Sequence, residues 1–126
     1  MPKRIFTGAL SETTAGYAKA VIDGTTIYVS GTTGRDKATG QFPPDAADQA
    51  RNAFADIEDA LQKAGASLAN AVASRVYVTD LEAAEVVGPV LGQVFKDVHP
   101  TSTFLICQIP ARGAKVEIEI TASLAD

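Results

Sequence analysis

Apolar residues along this chain recur at two different periods, and the switches between those periods mark out its elements. Short, β-branched runs punctuated by glycine cover Arg4 to Thr7, Ala18 to Asp23 and Thr25 to Gly31. Asp23-Gly24 stands between the last two runs, and because both residues tolerate positive φ the pair predicts a tight hairpin turn. From Thr32 to Pro44 the chain is polar and rich in Gly and Pro, which predicts a loop overhanging its neighbours. The period then becomes helical: Ala46, Ala50, Ala53, Phe54, Ile57, Ala60, Leu61 and Ala64 share one face between Asp45 and Ala64, and Gly65 supplies a stop. Ala71 to Val78 predicts a strand, after which Thr79 and Asp80 can cap a second helix running toward Phe95. Pro89 inside that helix removes a backbone donor and predicts a kink or a split. Two strands, Thr103 to Ile109 and Ala114 to Leu124, finish the chain around the loop Pro110-Ala111-Arg112-Gly113.

The resulting order, βββαβαββ, predicts an α+β fold with two helices on one face of a mixed sheet. Phe104-Leu105-Ile106-Cys107 is apolar at successive positions and predicts a strand buried on both faces. One layer of helices covers only one face, so self-association is expected to cover the other; the alternative is a monomer with a modestly apolar open face.

Composition narrows the function classes. At 126 residues and 46% hydrophobic, the chain is sized for one domain spanning residues 1–126. Its uncharged runs fall well short of the roughly 20 residues a membrane span needs, and Met1-Pro2-Lys3-Arg4 leads into no apolar signal core. A soluble, cytoplasmic protein with no membrane partner is the expectation. One cysteine, Cys107, makes no internal disulfide, and with one histidine, His99, builds no ordinary zinc site, so no metal is expected. Cys107 reads as a small core residue and His99 as a loop residue without a catalytic role. A net charge of −4 with no basic cluster argues against a nucleic-acid partner.

Several segments taken in order resemble a known family: Gly16-Tyr17 before a strand, Val29-Ser30-Gly31 closing the next, and Gln49-Ala50-Arg51-Asn52-Ala53 opening the first helix. Val76-Tyr77-Val78-Thr79-Asp80-Leu81 and Glu117-Ile118-Glu119 complete the pattern. This arrangement resembles the Rid family, the YjgF-type reactive intermediate deaminases. The resemblance implies a chorismate-mutase-like fold, a barrel-forming homotrimer with clefts between subunits, and hydrolysis of reactive imines or enamines to a carbonyl compound and ammonia. Family enzymes acting on 2-imino acids carry an arginine that grips the substrate carboxylate; here Pro100-Thr101-Ser102-Thr103 has Ser102 at that place. A hydroxyl offers one donor and no charge where a guanidinium offers a charged planar fork. Gly88 likewise stands where an asparagine is frequent.

Glu117 follows Ser102 by fifteen residues, the separation at which the family's water-orienting glutamate follows the arginine. One carboxylate that orients water and takes its proton can suffice for attack on a protonated C=N, so the chemistry that the resemblance implies demands no cofactor. Read from periodicity alone, Glu117 is equally a solvent-facing strand residue or an ion-pair partner. By resemblance Tyr17 walls the cleft, while the Ser30-Gly31 backbone, Ser102 and Thr103 contribute to substrate binding. Tyr17 is otherwise a packing residue, and Gly31 a turn. Arg75, Arg35 and Arg112 are the cations available to replace the missing arginine. Arg75 stands out because its apolar strand hosts a charge only if the charge is paired or lines a cleft; the alternative is a bridge to Glu117 or Glu119. Two classes remain open: a deaminase on an undetermined small-molecule metabolite, or a non-catalytic trimeric binding protein of the same fold.

Overall fold

In a computed structural model describing residues Met1 to Asp126, the chain forms six strands and three helices. The strands are β1 (Lys3–Ile5), β2 (Ala20–Asp23), β3 (Thr26–Thr33), β4 (Ala71–Val78), β5 (Thr101–Ile106) and β6 (Val116–Ser123). The helices are α1 (Leu10–Ala15), α2 (Ala46–Lys63) and α3 (Leu81–Val94). The sheet order is β1-β2-β3-β6-β4-β5. All neighbours are antiparallel except β4 and β5, which are parallel because α3 carries the chain back along the sheet.

The core lies between one sheet face and the helices. Val116, Ile118, Ile120 and Ala122 of β6 are fully buried, with Ile27 and Val29 of β3 and Val76 and Val78 of β4 beside them. Onto them pack Ala50, Ala53, Ile57, Ala60 and Leu61, the helical stripe of α2, and Ala83, Val87 and Val90 of α3. Each fully buried Ile or Leu contributes roughly 1.5–3 kcal/mol relative to exposure. Phe54 and Phe95 meet edge to face at 5.4 Å and close the α2–α3 contact. Asp45 and Asp80 cap the two helices by accepting from the Ala47 and Ala83 amides.

Several expectations are corrected. Helix α1 has no counterpart in the periodicity of the sequence; the buried Glu12 carboxylate accepts from the Thr7 hydroxyl and the Thr7 and Gly8 amides, and Gly16 ends the helix at φ 73°. Strand β3 runs on through Thr32 and Thr33, which pair with Ile118 and Glu117 beyond a bulge. Strand β5 starts at Thr101 and ends at Ile106, so Cys107 to Ile109 form a connection. Pro89 does not split α3, which runs unbroken from Leu81 to Val94 with Pro89 on its exposed side. Far from being buried on both faces, β5 is exposed along its whole length in the single chain, because it is the sheet edge. No helix is long and apolar enough to cross a membrane.

The Gly34–Pro44 loop is held against α2 rather than lying free. Buried Gln49 donates to the Pro43 carbonyl (2.7 Å) and the Gly113 carbonyl (3.1 Å), and accepts from the Lys115 amide (2.8 Å). Gly34 packs so closely on Gln49 that a Cβ would overlap the Gln49 backbone. Gln49→Leu leaves three polar groups unpaired and is expected to cost about 2–4 kcal/mol, a fall in Tm of roughly 6–15 °C. Thermal denaturation followed by circular dichroism checks this, and a fall under about 2 °C would show that Gln49 does not tie these segments together.

Candidate active site

The strict alternation of β6 turns Glu117 and Glu119 away from the core, onto the sheet face opposite the helices. Across β4, Tyr77 stands beside Glu117 and Arg75 beside Glu119. Across β3 the ladder is interrupted: Val29 pairs with Ile120 and Thr32 with Ile118, so Ser30 and Gly31 together oppose Glu119. This bulge brings the Gly31 backbone against the Glu117 side chain. A Cβ on Gly31 would collide with Glu117 Oε2, so only glycine lets the carboxylate lie there. Gly31, Tyr77, Glu117 and Glu119 form one side of an open cleft, and the Cys107–Pro110 connection forms the other.

Glu117 is half-buried and forms no ion pair. Burial pushes its carboxyl above the ordinary carboxylate range, and the nearby Glu119 charge pushes it further. Glu119 is better compensated: Arg75 Nη1 lies 3.9 Å from Glu119 Oε2, and the Tyr77 hydroxyl donates to Glu119 Oε1 over a long 3.3 Å. The Arg75–Glu119 pair is solvent-exposed on both sides and contributes at most about 1 kcal/mol. Burial, then the Glu119 charge, raises the Tyr77 phenol above its usual value, so it stays a proton donor at neutral pH.

The residues singled out from sequence do not all converge. Glu117, Ser30 and Gly31 share the cleft. The Ser30 hydroxyl is occupied, donating to the Ala18 carbonyl at 2.6 Å. Tyr17 lies in an adjoining hollow that also reaches Gly31, its hydroxyl 2.7 Å from Ser11 Oγ. Arg75 leans toward Glu119 rather than Glu117. Thr103 pairs with Arg75 on the open face, whereas Ser102 pairs with Ser74 and so points to the helix side. Within one chain Ser102 and Glu117 are therefore on opposite faces. Ser74, buried beside it, has a hydroxyl with no hydrogen-bond partner.

Cys107 is corrected from a core residue to an exposed thiol lining the cleft, because β5 stops one residue earlier at the sheet edge. Arg35 is engaged elsewhere, stacked 4.6 Å from the Phe42 ring centroid and donating to the Gly40 carbonyl. No group of three or more His, Cys, Asp or Glu side chains converges to hold a metal ion. Tyr77 escaped sequence reasoning, although its place two residues after Arg75 on an alternating strand puts it on the Glu117 face. Lys19 escaped as well; a lysine inside the apolar run Ala18–Asp23 was the available signal.

A family model described as endoribonuclease L-PSP matches residues 7–124. A bovine protein named 2-iminobutanoate/2-iminopropanoate deaminase is 34% identical over 84% of this chain and 78% of its own length. A Drosophila melanogaster protein named RutC family protein UK114 is 34% identical over 95% of this chain and 88% of its own. Among solved structures, Rv2704 of Mycobacterium tuberculosis, described as a member of the YjgF/YER057c/UK114 family, superposes with a TM-score of 0.88 at 36% identity. It covers 98% of this chain and 100% of that one. With a family model that spans nearly the whole sequence, relatives above 30% identity and a solved structure that superposes along nearly the whole chain, this chain belongs to the YjgF/Rid family.

Proposed function

We propose that this protein hydrolyses a reactive imine or enamine metabolite to a carbonyl compound and ammonia, with Glu117 as general base. The observation that carries this reading is the half-buried Glu117 carboxylate, unpaired, lying over Gly31 in an open cleft. Relatives at about a third identity named imine deaminases support the reaction class. In the protonated substrate the C=N carbon is electrophilic. Glu117 accepts a proton from water as the water oxygen bonds that carbon and the C=N π electrons move to nitrogen. The same carboxyl returns that proton to nitrogen; as the C–N bond breaks, the carbinolamine hydroxyl gives its proton to the regenerated carboxylate or to water, releasing ammonia and leaving the C=O group. A carboxylate whose affinity for protons has been raised performs both halves better near neutral pH than an ordinary one.

The cleft of the single chain is open, and the Phe104-Leu105-Ile106 edge beside it is exposed. Both features support a homotrimer whose neighbouring copies complete each site, with Tyr17, Gly31, Thr103 and Ser102 of adjoining chains around the substrate. Arg75, held by Glu119, is available to bind a distant acidic group by exchanging partners. Ser102 in place of a clamping arginine favours a substrate without an adjacent carboxylate, and it equally supports a second reading in which the protein binds a metabolite without turnover.

Glu117→Gln, which keeps shape and removes the base, is expected to lower kcat at least a hundredfold with KM little changed. Imines generated in situ by an amino-acid oxidase, with semicarbazide trapping of what is left, supply the assay. No acceleration by the wild-type protein with neutral or acidic imines would favour the binding reading. Activity requires ionised Glu117, so it should fall as pH drops through the raised pKa. Glu119→Gln removes the repulsion and is expected to move that acid limb to lower pH; a limb that stays in place or moves upward contradicts the assignment. Ser102→Arg is expected to raise activity toward 2-imino acids about tenfold or more, from a charge-assisted bond of roughly 1.5–3 kcal/mol. Equal rates for the two proteins would mean the missing arginine is not what limits this substrate class.

A further inference from the structure

Lys19 is the one buried cation of the chain, 7% exposed, and it touches neither the cleft nor Glu117. An unpaired ammonium at such a site costs several kcal/mol, so its partners are informative. Its Nζ donates to Asp56 Oδ2 on α2 (2.9 Å) and to Thr32 Oγ1 (2.7 Å), and the Thr32 hydroxyl donates onward to the Ser30 carbonyl (2.8 Å). Its main chain does the same work from the other side: the Ser30 amide donates to the Lys19 carbonyl (2.9 Å), and the Ser30 hydroxyl donates to the neighbouring Ala18 carbonyl. Ser30 is thus held at its amide by Lys19, at its hydroxyl by Ala18 and at its carbonyl by Thr32, whose own hydroxyl accepts from the Lys19 ammonium. Only Gly31, at the crest of the bulge, is left facing the Glu117 carboxylate. Asp56 is itself fixed. Burial alone would raise its carboxyl, but hydrogen bonds from Lys37 and Lys19 outweigh that and hold it below the ordinary range.

We propose that Lys19 is a positioning residue: clamped between Asp56 and Thr32, it locks the Ser30–Thr32 bulge that seats Gly31 beneath the Glu117 carboxylate. The proposal rests on Glu117 being the working carboxylate of the cleft. Lys19 acts through backbone geometry rather than through its charge. The charged and titratable groups around Glu117 are Glu119 on its own strand, Tyr77 and Arg75 on β4, and Cys107 after β5; Tyr28 of β3 lies on the same face but farther along, beside Thr121.

The test compares Lys19→Met, Thr32→Val and Thr32→Ser, with carbon-13 NMR titration of the Glu117 side-chain carboxyl beside imine hydrolysis. With the clamp broken, the bulge relaxes and Glu117 gains water. Its titration is expected to move to lower pH in Lys19→Met and Thr32→Val, with kcat falling about tenfold to a hundredfold and KM nearly unchanged. Thr32→Ser, which keeps the hydroxyl, is expected to titrate and turn over as the wild type does. If Lys19→Met fails to fold, the Thr32 pair decides alone, since Thr32→Val leaves the Lys19–Asp56 ion pair in place. An unchanged Glu117 titration in folded Thr32→Val overturns the proposal, whatever the activity. A titration that moves as expected, in a protein that hydrolyses no imine, upholds the positioning role and removes the deaminase reading instead.

Discussion

The two-residue period of β6 is the constraint from which most of this molecule follows. As the strand between β3 and β4, it turns Val116, Ile118, Ile120 and Ala122 into the centre of the core, and it sends Glu117 and Glu119 out of the opposite face. Because side chains on a strand point alternately to its two faces, the hydrophobic set and the carboxylates cannot be moved independently; a slip of one residue would bury both acids and expose all four apolar side chains. The core therefore enforces the site. Each fully buried isoleucine of β6 adds roughly 1.5–3 kcal/mol to keeping the register, far more than the exposed Arg75–Glu119 pair supplies.

Against that rigid strand, the candidate site rests on one local departure from regularity. The bulge in β3 leaves two residues opposite one, and Gly31, having no Cβ, lets Glu117 settle against the backbone rather than swing into solvent. A carboxylate held there is partly desolvated and sits near a second carboxylate, and both effects favour its protonated form. The neighbouring groups divide the charge unevenly: Arg75 and Tyr77 serve Glu119, and Glu117 is left without a counter-ion. Two like groups two residues apart on one face are thereby given different surroundings, and only Glu117 is left without a partner.

Much of this was legible in the chain. The α2 stripe, the Asp80 cap and the β4 and β6 alternations are local patterns, and each is enforced by the same periodicity that reveals it. With the segments from Gly16-Tyr17 to Glu117-Ile118-Glu119, they were enough to indicate the family and the α+β fold. The errors fell where local preference yields to long-range partners. Thr32 and Thr33 look like loop residues, but one accepts from a lysine ammonium and both pair with β6. Helix α1 is a six-residue segment made by the Glu12 carboxylate reaching back to Thr7 and Gly8, a contact with no periodic signature.

The sequence by itself determined which residues are apolar at which period, and hence the periodic elements α2, α3, β4 and β6, the buried face of each, and the strand step that sets Glu117 opposite the core. Only the tertiary structure decided what meets what across strands and helices. It placed Ser102 on the helix side of an edge strand and Cys107 in the cleft, turned Arg75 toward Glu119, and drew Lys19 between Asp56 and Thr32. The physical reason is range: periodicity is a property of neighbours along the chain, whereas hydrogen bonds, ion pairs and desolvation depend on distances that only the packed sheet and helices define.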